Sequence, residues 1–220
     1  GLVGSEMCIR DRNASGDMMY RIEKVLNHNT VMAIHQDDYK EVLIMGKGVG
    51  FGRKVAERIE VRPEDRLYSL QKYKERGGAK EIVKSIAPEF LEVTNAVLDE
   101  AEKIFGKIDR MVLFPLADHI AFAVKRIQNH EQISNPLTED IRVLFHMEFK
   151  AAESIRPLLQ KQFGIDIEDD EVGYVALHIH SAIEDEKVSQ AMQMARSVRE
   201  CISMVCLLYT SPSPRDRSLS

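Results

Sequence analysis

The hydrophobic period changes once along this chain, and that change constrains the fold more than any other feature. Between residues 19 and 60 the runs are short and β-prone. Tyr20-Arg-Ile-Glu-Lys-Val-Leu26 partly alternates and ends at Asn27-His28-Asn29, a turn composition. Thr30-Val-Met-Ala-Ile-His35 and Glu41-Val-Leu-Ile-Met45 follow, the second closed by Gly46-Lys47-Gly48. Val49-Gly-Phe-Gly52 reads as a fourth, Gly-bent strand. Together these predict a small antiparallel meander. So short a stretch has a thin core, which makes dimerisation an expected source of stability.

Val61-Arg-Pro-Glu-Asp-Arg66 is the candidate linker, and beyond it the period is helical. A helix is predicted from Pro88, with Phe90, Leu91, Val93, Val97, Leu98, Ala101 and Ile104 on its apolar side and Gly106 after its end. Leu116, Ile120, Ala123, Val124 and Ile127 form one stripe. Leu137 opens a helix carrying Ile141, Leu144, Phe145, Phe149 and Ala152. Another runs from about Asp169 to Ile183, and residues 186–205 form a last one. The expected fold class is therefore multi-domain β + α, a small antiparallel β domain ahead of an all-α bundle. The expected boundaries are 19–62, a linker at 63–66, a helical domain at 67–184 and a further helix at 185–205.

The two ends read differently from the rest. A codon assignment exists in which residues 1–12 and 206–216 are encoded by nearly reverse-complementary DNA, resembling a transposase-type library adapter. Residues 1–18 and 206–220 are therefore expected to lie outside the fold, and the genuine chain to be a fragment. That leaves Cys201 as the one genuine cysteine, consistent with a reducing cytoplasmic setting. The net charge of −5 excludes a uniformly basic nucleic-acid coat but not a local basic patch. No apolar run approaches the ~18 residues of a membrane-spanning helix.

Two histidines carry the candidate chemistry of the helical part. His119 lies in Leu116-Ala-Asp-His-Ile-Ala-Phe122 and His178 in Gly173-Tyr-Val-Ala-Leu-His-Ile-His180. One such histidine is usually a satisfied boundary residue; two, each mid-helix beside core positions, can face each other across a helix pair. Neutral imidazole is nucleophilic near pH 7 and can accept a phosphoryl group. Asp118 or Glu171 can orient a ring. Metal binding is not expected: His178 and His180 point about 200° apart on a helix, and no paired cysteines or HExxH motif is present. No nucleotide-type phosphate loop or other cofactor motif is expected either, because the Gly46–Gly52 segment lacks GxxxxGK[ST]. Lys24, Asn27, Asn29, Lys47, Phe51, Arg53 and Lys54 can instead share one surface. Cations for phosphate, amides for base edges and an aromatic for stacking suit RNA. Residues 19–60 hold seven Lys and Arg against six Asp and Glu, a net of +1, so charge alone does not decide this.

Ile22-Glu-Lys-Val-Leu-Asn-His-Asn29, Glu41-Val-Leu-Ile-Met-Gly-Lys-Gly48 and Phe51 resemble the co-antiterminator RNA-binding domain of the BglG/SacY family of bacterial transcription antiterminators. The two histidine segments resemble the motifs of that family's first PTS regulation domain, and the four motifs occur in the family's order. The resemblance leans towards the glucose-type members. It implies a dimeric β module that binds an RNA hairpin in a nascent leader transcript, prevents termination and so activates a sugar-utilisation operon. It implies RNA contacts at Lys24, Asn27, Asn29, Gly46, Lys47 and Phe51. His28 stands where many members have Asn, and Lys47 where many have Arg, whose bidentate fork Lys lacks. It also implies His119 and His178 as sites phosphorylated by components of the sugar phosphotransferase system, with Asp118 as the acidic neighbour. Residues 185–205 would then begin a second regulation domain. The other readings are a histidine phosphocarrier enzyme and a DNA-binding regulator. The second would need a helix-turn-helix, and the N-terminal period is β.

Overall fold

The computed structural model describes residues 19–71, 78–131, 133–184 and 187–210. The expectation of adapter-type ends lies outside these residues, apart from 206–210. Five strands form one sheet in the order β4-β1-β2-β3-β5, every pair antiparallel. They are β1 (Met19–Asn27), β2 (Thr30–His35), β3 (Glu41–Met45), β4 (Arg58–Glu60) and β5 (Arg66–Ser69). The meander of β1 to β3 stands where expected.

Strands β2 and β3 are continuous apolar runs because alternate side chains go to opposite faces and both faces are covered. Val31, Ala33, Val42 and Ile44 pack with Tyr20, Ile22, Val49 and Ile59 on one side. Met32, Leu43, Met45 and Tyr68 join the helical core on the other. The thin core expected of the sheet is thus supplemented from within the same chain.

Two local expectations about the sheet are corrected. Val49–Gly52 is a run of turns, not a strand: Val49 N–H donates to Gly46 O and Phe51 N–H to Gly48 O, with Gly48 and Gly52 at φ 72° and 68°. Positive φ is cheap for glycine, so the chain coils where a strand would need extended backbone. β5 begins at Arg66, the last residue of the expected linker, and adds a strand beyond it by pairing Leu67 and Tyr68 with Ile44 and Leu43. Its charged first residue, Arg66, and those of β4, Arg58 and Glu60, hide the strand signal.

The helices are α1 (Gly78–Ser85), α2 (Pro88–Phe105), α3 (Leu113–Gln128), α4 (Thr138–Leu144), α5 (His146–Ala152), α6 (Ile155–Phe163), α7 (Asp169–Glu184) and α8 (Val188–Thr210). α2 begins on Pro88 after extended Ala87 and ends on Gly106 at φ 78°, the Pro-start and Gly-stop asymmetry of helices. The single helix expected from Leu137 through Ala152 breaks at Phe145 (φ −113°, ψ 47°). The break lets α4 reach both α7 and α8 while α5 lies along α7, which one straight rod cannot do. α8 buries Ala191 and Ala195 and packs on α4 and α7. It continues past the expected stop at 206, because residues 188–210 contain neither Gly nor Pro.

Candidate functional site

Two polar constellations stand out, one at the sheet's end and one between helices. At the sheet, the β1–β2 turn and the glycine loop after β3 are stitched together. Asn29 O accepts from Gly46 N–H at 2.9 Å and His28 O from Gly50 N–H at 2.9 Å. Asn27 Oδ1 accepts from Asn29 N–H at 2.9 Å, and Asn29 Oδ1 accepts from Gly48 N–H at 2.9 Å. Backbone donors therefore fix both amide orientations and leave both NH₂ groups directed away from the loops, towards α2.

Two glycines here are steric necessities. A Cβ on Gly50 would lie 2.2 Å from Asn27 O, and one on Gly46 would lie 1.8 Å from Asp65 Oδ1. Asp65 cannot easily give way, since Arg62 holds it through Nη2 at 2.7 Å and Nε at 3.0 Å. Arg62 Nη2 also donates to Lys47 O at 2.9 Å, which fixes the backbone beneath the exposed Lys47 side chain.

The six residues expected at an RNA surface are distributed unevenly. Asn27, Asn29, Gly46 and Lys47 come together. Phe51 is 70% exposed, and its ring meets His28 edge-on at 5.4 Å. Lys24 lies further back on β1. The register steps between Ile22 and Lys24, so that Ile22 is opposite Ala33 but Lys24 is opposite Met32. This bulge transfers Lys24 to the helix-facing side of the sheet, the re-aiming that bulges perform. Arg53 and Lys54 instead engage Glu57, through an ion pair and a backbone hydrogen bond respectively.

Helix α2 meets this surface with Glu92, Asn95, Asp99 and Glu102, spaced along one face. Asn27 Nδ2 donates to Glu92 Oε1 at 2.6 Å and Asn29 Nδ2 to Glu92 Oε2 at 3.5 Å. A cavity of about 360 Å³ between sheet and helix is lined by Asn29, Lys47, Arg66, Glu92, Asn95 and Asp99, among others. Behind it, Arg110 is 5% exposed and reaches Asp99 at 2.9 Å and Glu102 at 2.8 Å. Arg66 reaches the same two carboxylates at 3.0 Å each. Tyr68 Oη donates to Asn95 Oδ1 at 2.7 Å and accepts from Arg110 Nε at 3.1 Å. Burial pushes the Tyr68 hydroxyl up to about 12, despite the neighbouring Arg110.

In the helical part, His119 on α3 and His178 on α7 do face each other, with ring centroids 5.5 Å apart. Tyr174 lies 5.5 Å from the His119 ring on its own approach. Glu171 is buried, with Oε2 3.2 Å from His119 Nε2 and Oε1 2.6 Å from Arg126 Nη2. Burial alone would raise the Glu171 carboxyl, but His119 and Arg126 hold it below the ordinary carboxylate value. Desolvation and the neighbouring His119 lower the His178 imidazole well below its usual value, so it is neutral at pH 7. Its Nδ1 is buried with no hydrogen-bond partner among the described residues. The Asp118 side chain makes no hydrogen bond or ion pair among the described residues, so of the two candidate orienters only Glu171 contacts a ring. His180 faces elsewhere, with Nδ1 3.0 Å from Glu148 Oε1 and its ring 4.4 Å from that of Phe145.

The histidine reading missed Arg126, yet a signal was present. Arg126 follows His119 by seven residues and Glu171 precedes His178 by seven, two turns along one face in each helix. Glu92 had no such signal, because its partners are 63 and 65 residues away.

Comparison with known proteins matches both halves. A CAT RNA binding domain model covers residues 20–77, and a PRD domain model covers residues 92–182. The crystal structure of GlcT CAT-PRDI superposes with a TM-score of 0.64 at 30% identity, over 76% of this chain and 99% of that one. The GlcA/glcB genes antiterminator of Staphylococcus carnosus is 32% identical over 170 residues, 76% of this chain and 58% of that protein. The PtsGHI operon antiterminator of Bacillus subtilis is 28% identical over 187 residues, 84% of this chain and 66% of that protein. LicT of Bacillus subtilis is 26% identical over 186 residues, 84% of this chain and 67% of that protein. The chain thus spans between 58% and 67% of the length of these three relatives. Among the described residues no helix is long and apolar enough to cross a membrane.

Proposed function

We propose, because this chain belongs to the BglG/SacY family of transcription antiterminators, that its sheet binds an RNA hairpin in a leader transcript and that its helical domain switches that binding. The observation that carries the reading is the convergence of two amide NH₂ groups not used by the loop backbone, a lysine and an exposed aromatic ring on two interlocked loops. Amides supply hydrogen bonds to acceptors, Lys24 and Lys47 supply phosphate contacts, and Phe51 supplies a stacking face. The glycine loop is braced by its own backbone, so little order is gained on binding and little affinity is lost to entropy. Gly46 contributes by letting the chain pass close to Asp65.

Binding would prevent a terminator from forming and let a sugar-utilisation operon be read, as an activator in a bacterial cytoplasm acting as a homodimer. Components of the sugar phosphotransferase system would phosphorylate His119 and His178. Both histidines are then regulatory acceptors, not catalysts, and Asp118 is a supporting neighbour. A phosphoryl group on His119 brings about −1.5 to −2 charge, by analogy with phosphoserine. Beside Glu171 it is repelled, and Arg126 is the cation that can turn to it. The resident His119–Glu171–Arg126 contacts would be replaced, and the α3–α7 packing would respond.

The test is a gel-shift titration of the whole chain against an antiterminator-type RNA hairpin, a scrambled hairpin and duplex DNA of matching sequence, at two salt concentrations. Selective hairpin binding that persists at the higher salt is expected, with Lys24→Ala and Phe51→Ala each weakening it about tenfold. Equal binding to all three that salt abolishes would reduce the surface to nonspecific charge.

A further inference from the structure

We infer that Glu92 on α2 is a built-in competitor for the RNA surface, occupying the amide donors of Asn27 and Asn29 when sheet and helix are docked. The inference rests on the RNA reading of those asparagines and adds to it the surface that opposes RNA. Both asparagines spend their Oδ1 atoms on loop backbone, on Asn29 N–H and Gly48 N–H. Only the NH₂ groups remain for a ligand, and both already point at one carboxylate. A carboxylate presents two coplanar acceptors, as the non-bridging oxygens of a phosphate or the edge of a base do. RNA cannot use those donors until Glu92 leaves.

The surroundings reinforce the exclusion. The cavity that separates the loops from α2 is walled by Glu64, Glu92 and Asp99 as well as by Lys47 and Arg66. A phosphate entering it meets three carboxylates. Glu92 is also rigidly presented: it sits between the buried residues Leu91 and Val93 of an 18-residue helix, and the same helix is anchored to β5 through Asp99, Glu102 and Asn95. The docked arrangement and the RNA-bound one therefore compete for the same two groups. Hairpin affinity of the whole chain is its intrinsic affinity reduced by the fraction of molecules in which α2 is drawn back.

The experiment compares the whole chain with Glu92→Ala, Glu92→Gln and Glu100→Ala by gel shift on an antiterminator-type hairpin and its scrambled counterpart. Glu100 lies on the same helix and pairs with Lys103 instead of the sheet, so it removes the same charge without touching the asparagines. Glu92→Ala is expected to tighten hairpin binding about tenfold, the size of a charge-assisted hydrogen bond released. Glu92→Gln, which keeps the shape and one acceptor, is expected to give a smaller gain, and Glu100→Ala less than about twofold. Circular dichroism checks that each variant is folded. If the wild-type chain binds the hairpin selectively and both Glu92 variants match it, or if Glu100→Ala gains as much as Glu92→Ala, the competitor role is overturned and the RNA reading stands. If no chain discriminates hairpin from scramble, the RNA reading itself fails and the competitor role falls with it.

Discussion

The junction between sheet and α2 and the seam between α3 and α7 both bury charge, but they close it differently. At the junction, Arg110 and Arg66 meet Asp99 and Glu102, two fixed cations on two carboxylates, with Tyr68 and Asn95 taking the remaining directions. At the seam, Glu171 has one permanent cation, Arg126, and one imidazole, His119, whose charge is variable. Its neighbour His178 has a buried nitrogen with no hydrogen-bond partner among the described residues. The junction is a set in which every carboxylate has a fixed cation, and it can be held or broken. The seam has an open valence, so one proton or one phosphoryl group changes its sum. A structural clasp and a sensor are thus distinguishable by whether their charges are complete.

Removing Arg110 is the strongest way to break the contrast from the junction side. Arg110→Met leaves Asp99 and Glu102 with only the outer Arg66 and leaves the Tyr68 hydroxyl without its donor. Stripping one partner from a buried pair costs ~3–5 kcal/mol, and because the carboxylates here are partly open to water we expect about 3 kcal/mol. In a domain of this size that lowers the melting temperature by about 6–12 °C. Thermal unfolding reads it directly; a loss below about 1 kcal/mol would show that the clasp is not closed as described.

The seam is tested by acid. His178 is neutral in the folded chain because burial and the neighbouring His119 hold its imidazole below the ordinary histidine value of 6.5, whereas in the unfolded chain it titrates normally. Between its folded value and 6.5 the unfolded state binds the extra proton, so stability is complete above pH 6.5 and falls as pH drops below it. The slope for one proton is at most about 1.4 kcal/mol per pH unit, and partial solvent access makes it smaller. Glu171 acts in a lower window: its depressed carboxyl contributes stability above the ordinary glutamate value of 4.5 and loses it as pH falls further. Melting temperatures measured from pH 7 to pH 5 should therefore decline in the wild-type chain, and His178→Asn should flatten that decline. An unchanged slope in the variant would mean that the ring is not held neutral.

This difference also governs what could be read in advance. The sheet's β2 and β3, helices α2, α3 and α7 and the facing histidines were legible because each rests on a period or motif within a few turns of chain. β5 was not legible, since Arg66 and Ser69 flank only two apolar residues and its identity comes from pairing with β3. The break at Phe145 was not legible either, because it answers to α7 and α8, not to its own neighbours. Of the site, the six surface positions came from the resemblance to a family, which short local motifs carry. Glu92 and the Arg110 set arise only when α2 docks, across tens of residues of sequence, and no local pattern encodes them.

The smallest expected effect separates the two layers of the junction itself. Arg66 shares both carboxylates with Arg110, but it is 28% exposed where Arg110 is 5%. Arg66→Gln leaves Arg110 in place, so neither Asp99 nor Glu102 becomes an unpaired buried charge. Its cost should fall in the range of exposed pairs, below about 1 kcal/mol. Water reaches this outer pair, so the cost should shrink further between low salt and ~0.5 M salt, where the screening length is only a few ångströms. The cost of Arg110→Met should barely move over the same range, because ions do not enter the inner layer. Urea unfolding of both variants at two salt concentrations tests this. Parallel salt dependence would mean that the junction is one solvated network, and its contrast with the seam would then lie in geometry alone.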